Sequence, residues 1–378
     1  MNDFRTNKLK IAIVSPPWFP VPPPGYGGIE LVVSILAEGL HHRGHDVTLF
    51  ASGDSVTETR LVSVFDEAPY KLIKENVYLE NIHSLAAYEM AREFDIIHDH
   101  DGTGSRLLGA LVSRLFGIPV LATMHGPANK PSLDYYTSVS DDLHYIAISD
   151  AQRSDFIGLD FLATIPNAIK LDEYDFSPTS GDYLLFVGRM NEEKGAHIAA
   201  SVAKKLGRKL IIIGKASEEH EQKYLETMVR PLLGKDIEYY GEVDLAEKVE
   251  LYRGAECVLF PIQWPEPFGL VMIESMACGT PVIAIRNGSV PEVIQDGKTG
   301  FIVEDEDGMI DAVAHIGEID RLACRQLVER EYTERTFVER HELAYEKALA
   351  QSREQASSRI SAPQKQLEVR VSDRPGIL

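Results

Sequence analysis

Cysteine is scarce in this chain, with three residues in 378, and Cys257, Cys278 and Cys324 lie far apart, two of them inside apolar runs. A disulfide-stapled scaffold and a cysteine metal cage are therefore excluded, and buried free thiols are expected. Also missing is any apolar run of the roughly 18 residues that a membrane-spanning helix needs. The opening "MNDFRTNKLK" lacks the apolar core of a secretory signal, so the expected compartment is the cytoplasm. Basic excess is absent too, the formal charge being −20. Nucleic acid and anionic bilayers both demand a basic face, so neither is an expected partner, and the acid excess extends over the N-terminal half. What is present, 44% apolar and 25% charged residues over 378 positions, suits a soluble globular protein of two ordinary domains.

Strand-length apolar runs alternate with helix-period segments along almost the whole chain, the pattern of parallel sheets covered by helices. The expected strands are "KIAIVS", "DVTLFA", "DIIHD", "PVLATM" and "HYIAIS", then "YLLFVG", "KLIIIG", "IEYYG", "CVLFPI" and "PVIAI". Between the two sets, at residues 167–182, the apolar pattern stops and Pro, Ser, Gly and Asp accumulate, as in a linker. The expected fold is α/β: two doubly wound, Rossmann-like domains, 1–166 and 167–332, facing an interdomain cleft. A helix over 333–351 is expected to pack back towards the first domain, and 352–378 reads as a flexible tail whose "LEVRV" resembles a stray strand.

The stretch 264–284, "WPEPFGLVMIESMACGTPVIA", places Glu266 between two prolines and Glu274 eight residues later among apolar residues. Proline holds Glu266 in extended backbone, and a helix is expected to start just after it, so Glu266 sits at the helix mouth and Glu274 inside. The free N–H groups of Phe268, Gly269 and Leu270 then point the same way as Glu266, placing anion-binding donors beside a hydroxyl-binding acceptor. A phosphorylated sugar suits that combination.

Each half opens with a strand, an irregular loop and a helix, and ligands of such sheets bind at the carboxyl ends of strands. In "GRMNEEKG", Arg189 and Lys194 are two cations at a strand-to-helix corner; they suit a leaving diphosphate, or equally surface pairing with Glu192 and Glu193. "PGYGGIE" brings Gly27 and Gly28 before a helix without the G-x-G-x-x-G spacing; it is either a plain turn or a backbone cap on the diphosphate. In "HDHDG", His98, Asp99 and His100 end a strand whose side chains alternate in direction, so no three converge on a metal, and no metal is expected. An acceptor-side role in the cleft competes there with a capped strand end. His125, in "TMHGP", lies on the same rim and is either structural or part of the site. Gly241, in "YYGEV", ends a strand where backbone can read a nucleotide base.

Together "GGIE", "RGHDVTLFAS", "HGP", "IPNAI", "VGRMNEEKG", "PEPFGLVMIESMACGTPVIA" and "GSVPEVIQDGKTGFIV" resemble the retaining GT-B glycosyltransferases of family 4, from about Lys10 to Ala348. The resemblance implies that Glu266 contacts hydroxyls of the donor sugar, Glu274 the ribose, and the amides of residues 268–270 the phosphates. It further implies that Arg189 and Lys194 neutralise the leaving diphosphate, Gly27 and Gly28 complete its cage, and His125 lies near the sugar. Ala168 stands in "IPNAI" where the family usually has glycine, and the loop "PPWFPVPPPGYGG" is unusually rich in proline. The nearest likeness is to an uncharacterised bacterial branch. The expectation is a metal-independent, retaining hexosyl transfer from a nucleotide sugar, UDP favoured, to a hydroxyl of a soluble small-molecule or oligosaccharide acceptor. No cofactor is expected beyond the nucleotide-sugar co-substrate. Rival readings are a sugar-nucleotide epimerase of the same fold and a non-catalytic sugar-nucleotide-binding protein.

Overall fold

The computed structural model describes residues 8–76 and 78–361. The first sheet contains β1 (Lys10–Val14), β2 (Asp46–Phe50), β3 (Arg60–Val62), β4 (Ile96–Asp99), β5 (Val120–Thr123), β6 (His144–Ala147) and β7 (Phe161–Thr164). The second contains β8 (Tyr183–Val187), β9 (Lys209–Ile213), β10 (Ile237–Gly241), β11 (Ala255–Phe260), β12 (Val282–Ile285) and β13 (Gly300–Val303). All neighbours pair in parallel, β1 for example setting Ile11 beside both Val47 and Ile96. Helices cover both faces of such sheets, so central strands are apolar throughout: Ile11 to Val14 and Leu184 to Phe186 are buried.

All ten expected strands form, and three more join them. β3 is a three-residue edge, and β7 and β13 close sheet edges with partly exposed residues. Short, half-buried edge strands leave little periodic signal, which is why they were not foreseen.

Strand order is β3-β2-β1-β4-β5-β6-β7 in one sheet and β10-β9-β8-β11-β12-β13 in the other. The order reverses between β1 and β4 and between β8 and β11. At such a switch point the loops part and leave a crevice beyond the strands' carboxyl ends. The segments after β8 and β11 carry Arg189, Lys194 and Glu266, so they border one crevice.

The chain passes between the domains twice. Ile169 N–H donates to Tyr332 O at 3.1 Å, and Ile169 bridges Thr333. The closing helix, Glu334–Ser361, then lies on the helix Gly28–His42, burying Phe337, Val338, Tyr345 and Ala348 in the first domain's core. The approach at Gly39 is close: a Cβ there would stand 2.4 Å from Val338 Cγ2. Glu342 accepts from Arg43 Nε at 2.8 Å and lies 3.1 Å from His45 Nε2, fixing the helix lengthwise. This helix continues ten residues past the expected end at 351, because "QSREQASSRIS" holds no glycine or proline to stop it. The "LEVRV" segment lies outside the described residues.

Candidate active site

A cavity of about 430 Å³ lies between the two domains. Its walls include Gly27, Gly28 and His125 from the first domain, and Arg189, Lys194, Glu266, Phe268, Gly269, Leu270 and Glu274 from the second.

Glu266 follows β11 with Pro265 and Pro267 on either side, and its carbonyl accepts from Ser289 N–H at 2.9 Å. Its side chain is mostly buried. Oε2 pairs with the Lys194 ammonium and accepts from Trp264 Nε1 at 3.0 Å. The helix after it spans Leu270–Ala277, starting slightly later than expected because Gly269 takes a left-handed φ of 83°. Met272 N–H donates to Gly269 O at 3.1 Å, while the amides of Leu270 and Val271, residues of the cavity wall, have no acceptor among the described residues and remain as donors. Opposite stands the start of Gly28–His42. A Cβ on Gly28 would be 3.4 Å from Leu270 Cδ1, so two helix N-termini meet across the cleft. Both positive ends converge on one place, as anion binding requires.

The surface-pairing alternative for Arg189 and Lys194 does not hold. Lys194 engages Glu266, and Arg189 faces Glu221 at 3.8 Å and the Tyr26 ring at 5.5 Å. Among the described residues the Arg189 guanidinium makes an ion pair but no hydrogen bond, and its side chain is partly exposed on the cavity wall, so it has donors left for a ligand.

Glu274 is buried and held by three groups. Oε1 accepts from Lys248 Nζ at 2.9 Å and Tyr174 OH at 3.2 Å, and Oε2 from Tyr252 OH at 2.8 Å. Burial and the neighbouring carboxylate push both phenols well above their ordinary value, so they remain donors. Lys248 and Tyr174, both on the cavity wall, were not anticipated: a single lysine in the helix Leu245–Gly254 looks like any surface lysine in sequence. Lys215 was missed as well. Its ammonium sits 5.4, 5.2 and 5.1 Å from the rings of Phe19, Tyr26 and Tyr70, so the proline-rich loop clasps the second domain through a cation. Tyr26 N–H donates to Glu242 at 2.9 Å in the same clasp.

Three first-domain candidates prove to be interior. His98 and Asp99 are fully buried, and His100 nearly so. His98 lies 2.8 Å from Tyr345 OH and 2.7 Å from Thr123 Oγ1, and Asp99 accepts from Tyr88 OH at 2.6 Å and Ser105 Oγ at 2.5 Å. The closing helix and its Tyr345 cover this strand end, which a reading of the strand alone cannot foresee. Only His125 of the histidine group lines the cavity, and burial, with Arg106 and His341 nearby, lowers it to about 3, so it is neutral. Gly241 is also off the wall: its carbonyl accepts from Gly214 N–H at 2.7 Å, and Glu242 and Val243 line the cavity instead. Among the described residues one set, Glu38, His42 and Glu58, brings three metal-type ligand atoms within 4.8 Å of one another, at the end of its helix remote from the cleft.

Two facing Rossmann-like domains with a cavity between them are the GT-B architecture. Residues 26–173 match the family described as Glycosyltransferase Family 4, and residues 172–330 the one described as glycosyl transferases group 1. The chain belongs to the family 4 glycosyltransferases of GT-B fold. It is 28% identical to the phosphatidyl-myo-inositol mannosyltransferase of Mycolicibacterium smegmatis, over 83% of this chain and 86% of that one. It is 27% identical to the D-inositol 3-phosphate glycosyltransferase of an Arthrobacter species, over 78% and 83%. Among solved structures it resembles AviGT4, a glycosyltransferase involved in avilamycin A biosynthesis, with 28% identity, TM-score 0.68 and coverage of 91% and 98%. Sucrose-phosphate synthase from Thermosynechococcus elongatus, 20% identical with TM-score 0.70 over 94% and 100%, shares the fold. No described helix is long and apolar enough to cross a membrane.

Proposed function

We propose that this glycosyltransferase moves a hexosyl group from a nucleoside-diphosphate sugar, UDP favoured, to a hydroxyl of a soluble small-molecule or oligosaccharide acceptor, keeping the anomeric configuration. The observation that carries this reading is the meeting of the helix starts at Gly28 and Leu270 beside Arg189 and Lys194. Four positive elements around one cavity neutralise a diphosphate as it leaves, which favours early departure and a short-lived oxocarbenium-like sugar. In this reading Glu266, tied to Lys194 and Trp264 on the cavity wall, accepts from sugar hydroxyls, and Glu274, on the same wall, accepts from ribose hydroxyls. Neither is placed as an inverting base. The acceptor then attacks the face the diphosphate has left and passes its proton to a phosphate oxygen. No metal is needed for charge neutralisation in this scheme.

The soluble acceptor is supported by the acidic balance of the chain and by the similarity to a D-inositol 3-phosphate glycosyltransferase and to AviGT4. The similarity to phosphatidyl-myo-inositol mannosyltransferases makes a lipid acceptor the arm to test against. The experiment incubates the full chain with UDP-, GDP- and ADP-sugars, following nucleotide release with an inositol phosphate, with phosphatidylinositol vesicles and with a soluble metabolite extract. Transfer to a soluble acceptor, unaffected by EDTA, and an α-glycoside from an α-linked donor by proton NMR are expected. A β-glycoside product would overturn the retaining course, and transfer only on vesicles would overturn the soluble acceptor.

A further inference from the structure

His100 and His125 follow β4 and β5, adjacent parallel strands, so their rings meet at the strands' carboxyl ends. The ring centroids are 5.2 Å apart, and His100 Nδ1 lies 2.9 Å from His125 Nε2. His100 is fixed from behind: its backbone N–H donates to Val14 O at 2.9 Å, and the His98 ring centroid lies 4.1 Å from its own. One of the two facing nitrogens must carry a proton and the other a lone pair.

The rest of the pair decides which. Burial holds His100 well below the ordinary histidine value, reinforced by His98, His125, His341 and Arg106. Burial, with Arg106 and His341, does the same to His125, so each ring has a single N–H. Were His125 the donor, His100 would keep its proton on Nε2. That nitrogen is buried and has no partner among the described residues. A buried N–H without an acceptor is the less tolerated defect, whereas a lone pair without a donor is met more often. The favoured arrangement has His100 donating through Nδ1–H to a bare His125 Nε2. His125 then carries its own proton at Nδ1, on a side chain of the cavity wall whose Nδ1 has no partner among the described residues.

We infer that His100 is a positioning residue: it locks His125 as the Nδ1–H tautomer, so that the first domain presents a hydrogen-bond donor, not an acceptor, to an oxygen of the bound nucleotide sugar. The tautomer follows from the pair alone, and its role in turnover rests on the transfer function proposed above. The interior placement of His100 thus acquires a purpose that a direct acceptor contact does not give it.

The first test needs no substrate. Long-range proton–nitrogen NMR of the full chain labelled with ¹⁵N-histidine, with His125→Gln identifying the His125 signals, should show a protonated Nδ1 and a bare Nε2 on His125. A protonated Nε2 would overturn the inference whatever the enzyme's activity. In His100→Leu the His125 signals should report a mixture of both tautomers. His100→Asn, whose amide N–H₂ falls close to the lost Nδ1–H, should restore the single form. The second test reads initial rates: His100→Leu should lower kcat/KM for the sugar donor about tenfold, the scale of one net hydrogen bond. Its affinity for the free nucleoside diphosphate, which His125 need not touch, should be unchanged, and His100→Asn should recover most of the loss. Parallel losses of free-nucleotide affinity and turnover, or no rescue by asparagine, would mark His100 as merely structural and overturn the role. Absence of turnover in the wild-type protein with every sugar donor would instead sink the transfer reading and leave the NMR result standing.

Discussion

Glu266 and Glu274 differ in what surrounds them, and the difference sets what their replacement does. Glu266 is tied to one ammonium and one indole, both cavity residues, so an amide of the same shape keeps the fold. Glu266→Gln should leave the unfolding midpoint almost unchanged and lower turnover about 10–150-fold, since a charge-assisted hydrogen bond is worth about 1.5–3 kcal/mol. Wild-type rates across a range of donor concentrations would show that the carboxylate does not touch the sugar. Glu274 instead satisfies Lys248, Tyr174 and Tyr252 at once. Glu274→Ala strands those donors, so it should weaken binding of free nucleoside diphosphates and also cost about 1–3 kcal/mol of stability. Calorimetric binding and urea unfolding read the two effects separately; unchanged nucleotide affinity would remove Glu274 from the ribose.

At the scale of elements, the first domain is closed by a helix that comes from the far end of the chain. The crossing of Glu334–Ser361 over Gly28–His42 depends on the missing side chain of Gly39, where a Cβ would stand 2.4 Å from Val338 Cγ2 and 3.2 Å from Glu334 Oε1. Gly39→Ala gains helix propensity but forces the helices apart, and overpacking of this kind costs about 1–3 kcal/mol. A lower unfolding midpoint is expected, with relief when Val338 is also made alanine. An unchanged or raised midpoint would show that the helices are not in this contact in solution. The same helix covers His98 and supplies Tyr345 to it, so loosening it should also disturb the histidine pair at the cleft.

Across the whole molecule, buried titratable groups bracket the pH of greatest stability. Burial lowers His83 and His341 to about 4 and His125 to about 3, and lowers His98 and His100 as well, all from an ordinary value of 6.5. As pH falls from about 6.5 the unfolded chain takes up protons that the native rings refuse, so stability falls with it. Burial raises Asp101 to about 8 and Glu30 to about 7. For these the unfolded chain ionises first, so their contribution is present at low pH and is lost as pH rises towards 8. Between about pH 4 and 6.5 the two trends oppose, and the five rings outweigh the two carboxyls. Urea midpoints should peak near pH 6.5 and decline on both sides, and Asp101→Asn should flatten the alkaline side. A midpoint still rising at about pH 8.5 would contradict the burial of both carboxyls.

The sequence by itself determined the two parallel sheets, because strands buried on both faces must be written as unbroken apolar runs, and these stand out. It also determined the corners of the site that sit on one short segment. Proline on both sides of Glu266, Gly269 before the helix, and eight residues to Glu274 fix local backbone, and local backbone is legible. The roles of single side chains brought together from distant segments were decided only by the tertiary structure. Lys248 meets Glu274, and Lys215 meets Phe19, Tyr26 and Tyr70, through contacts that leave no spacing in the sequence. His98, Asp99 and His100 stood at a strand end where a cleft was expected; the closing helix, more than 230 residues away, covers His98 through Tyr345 and His341, while Tyr88, Ser105 and Arg106 of the first domain enclose Asp99. A strand's periodicity gives the face a residue is on, whereas what covers that face is settled by packing between elements far apart in the chain.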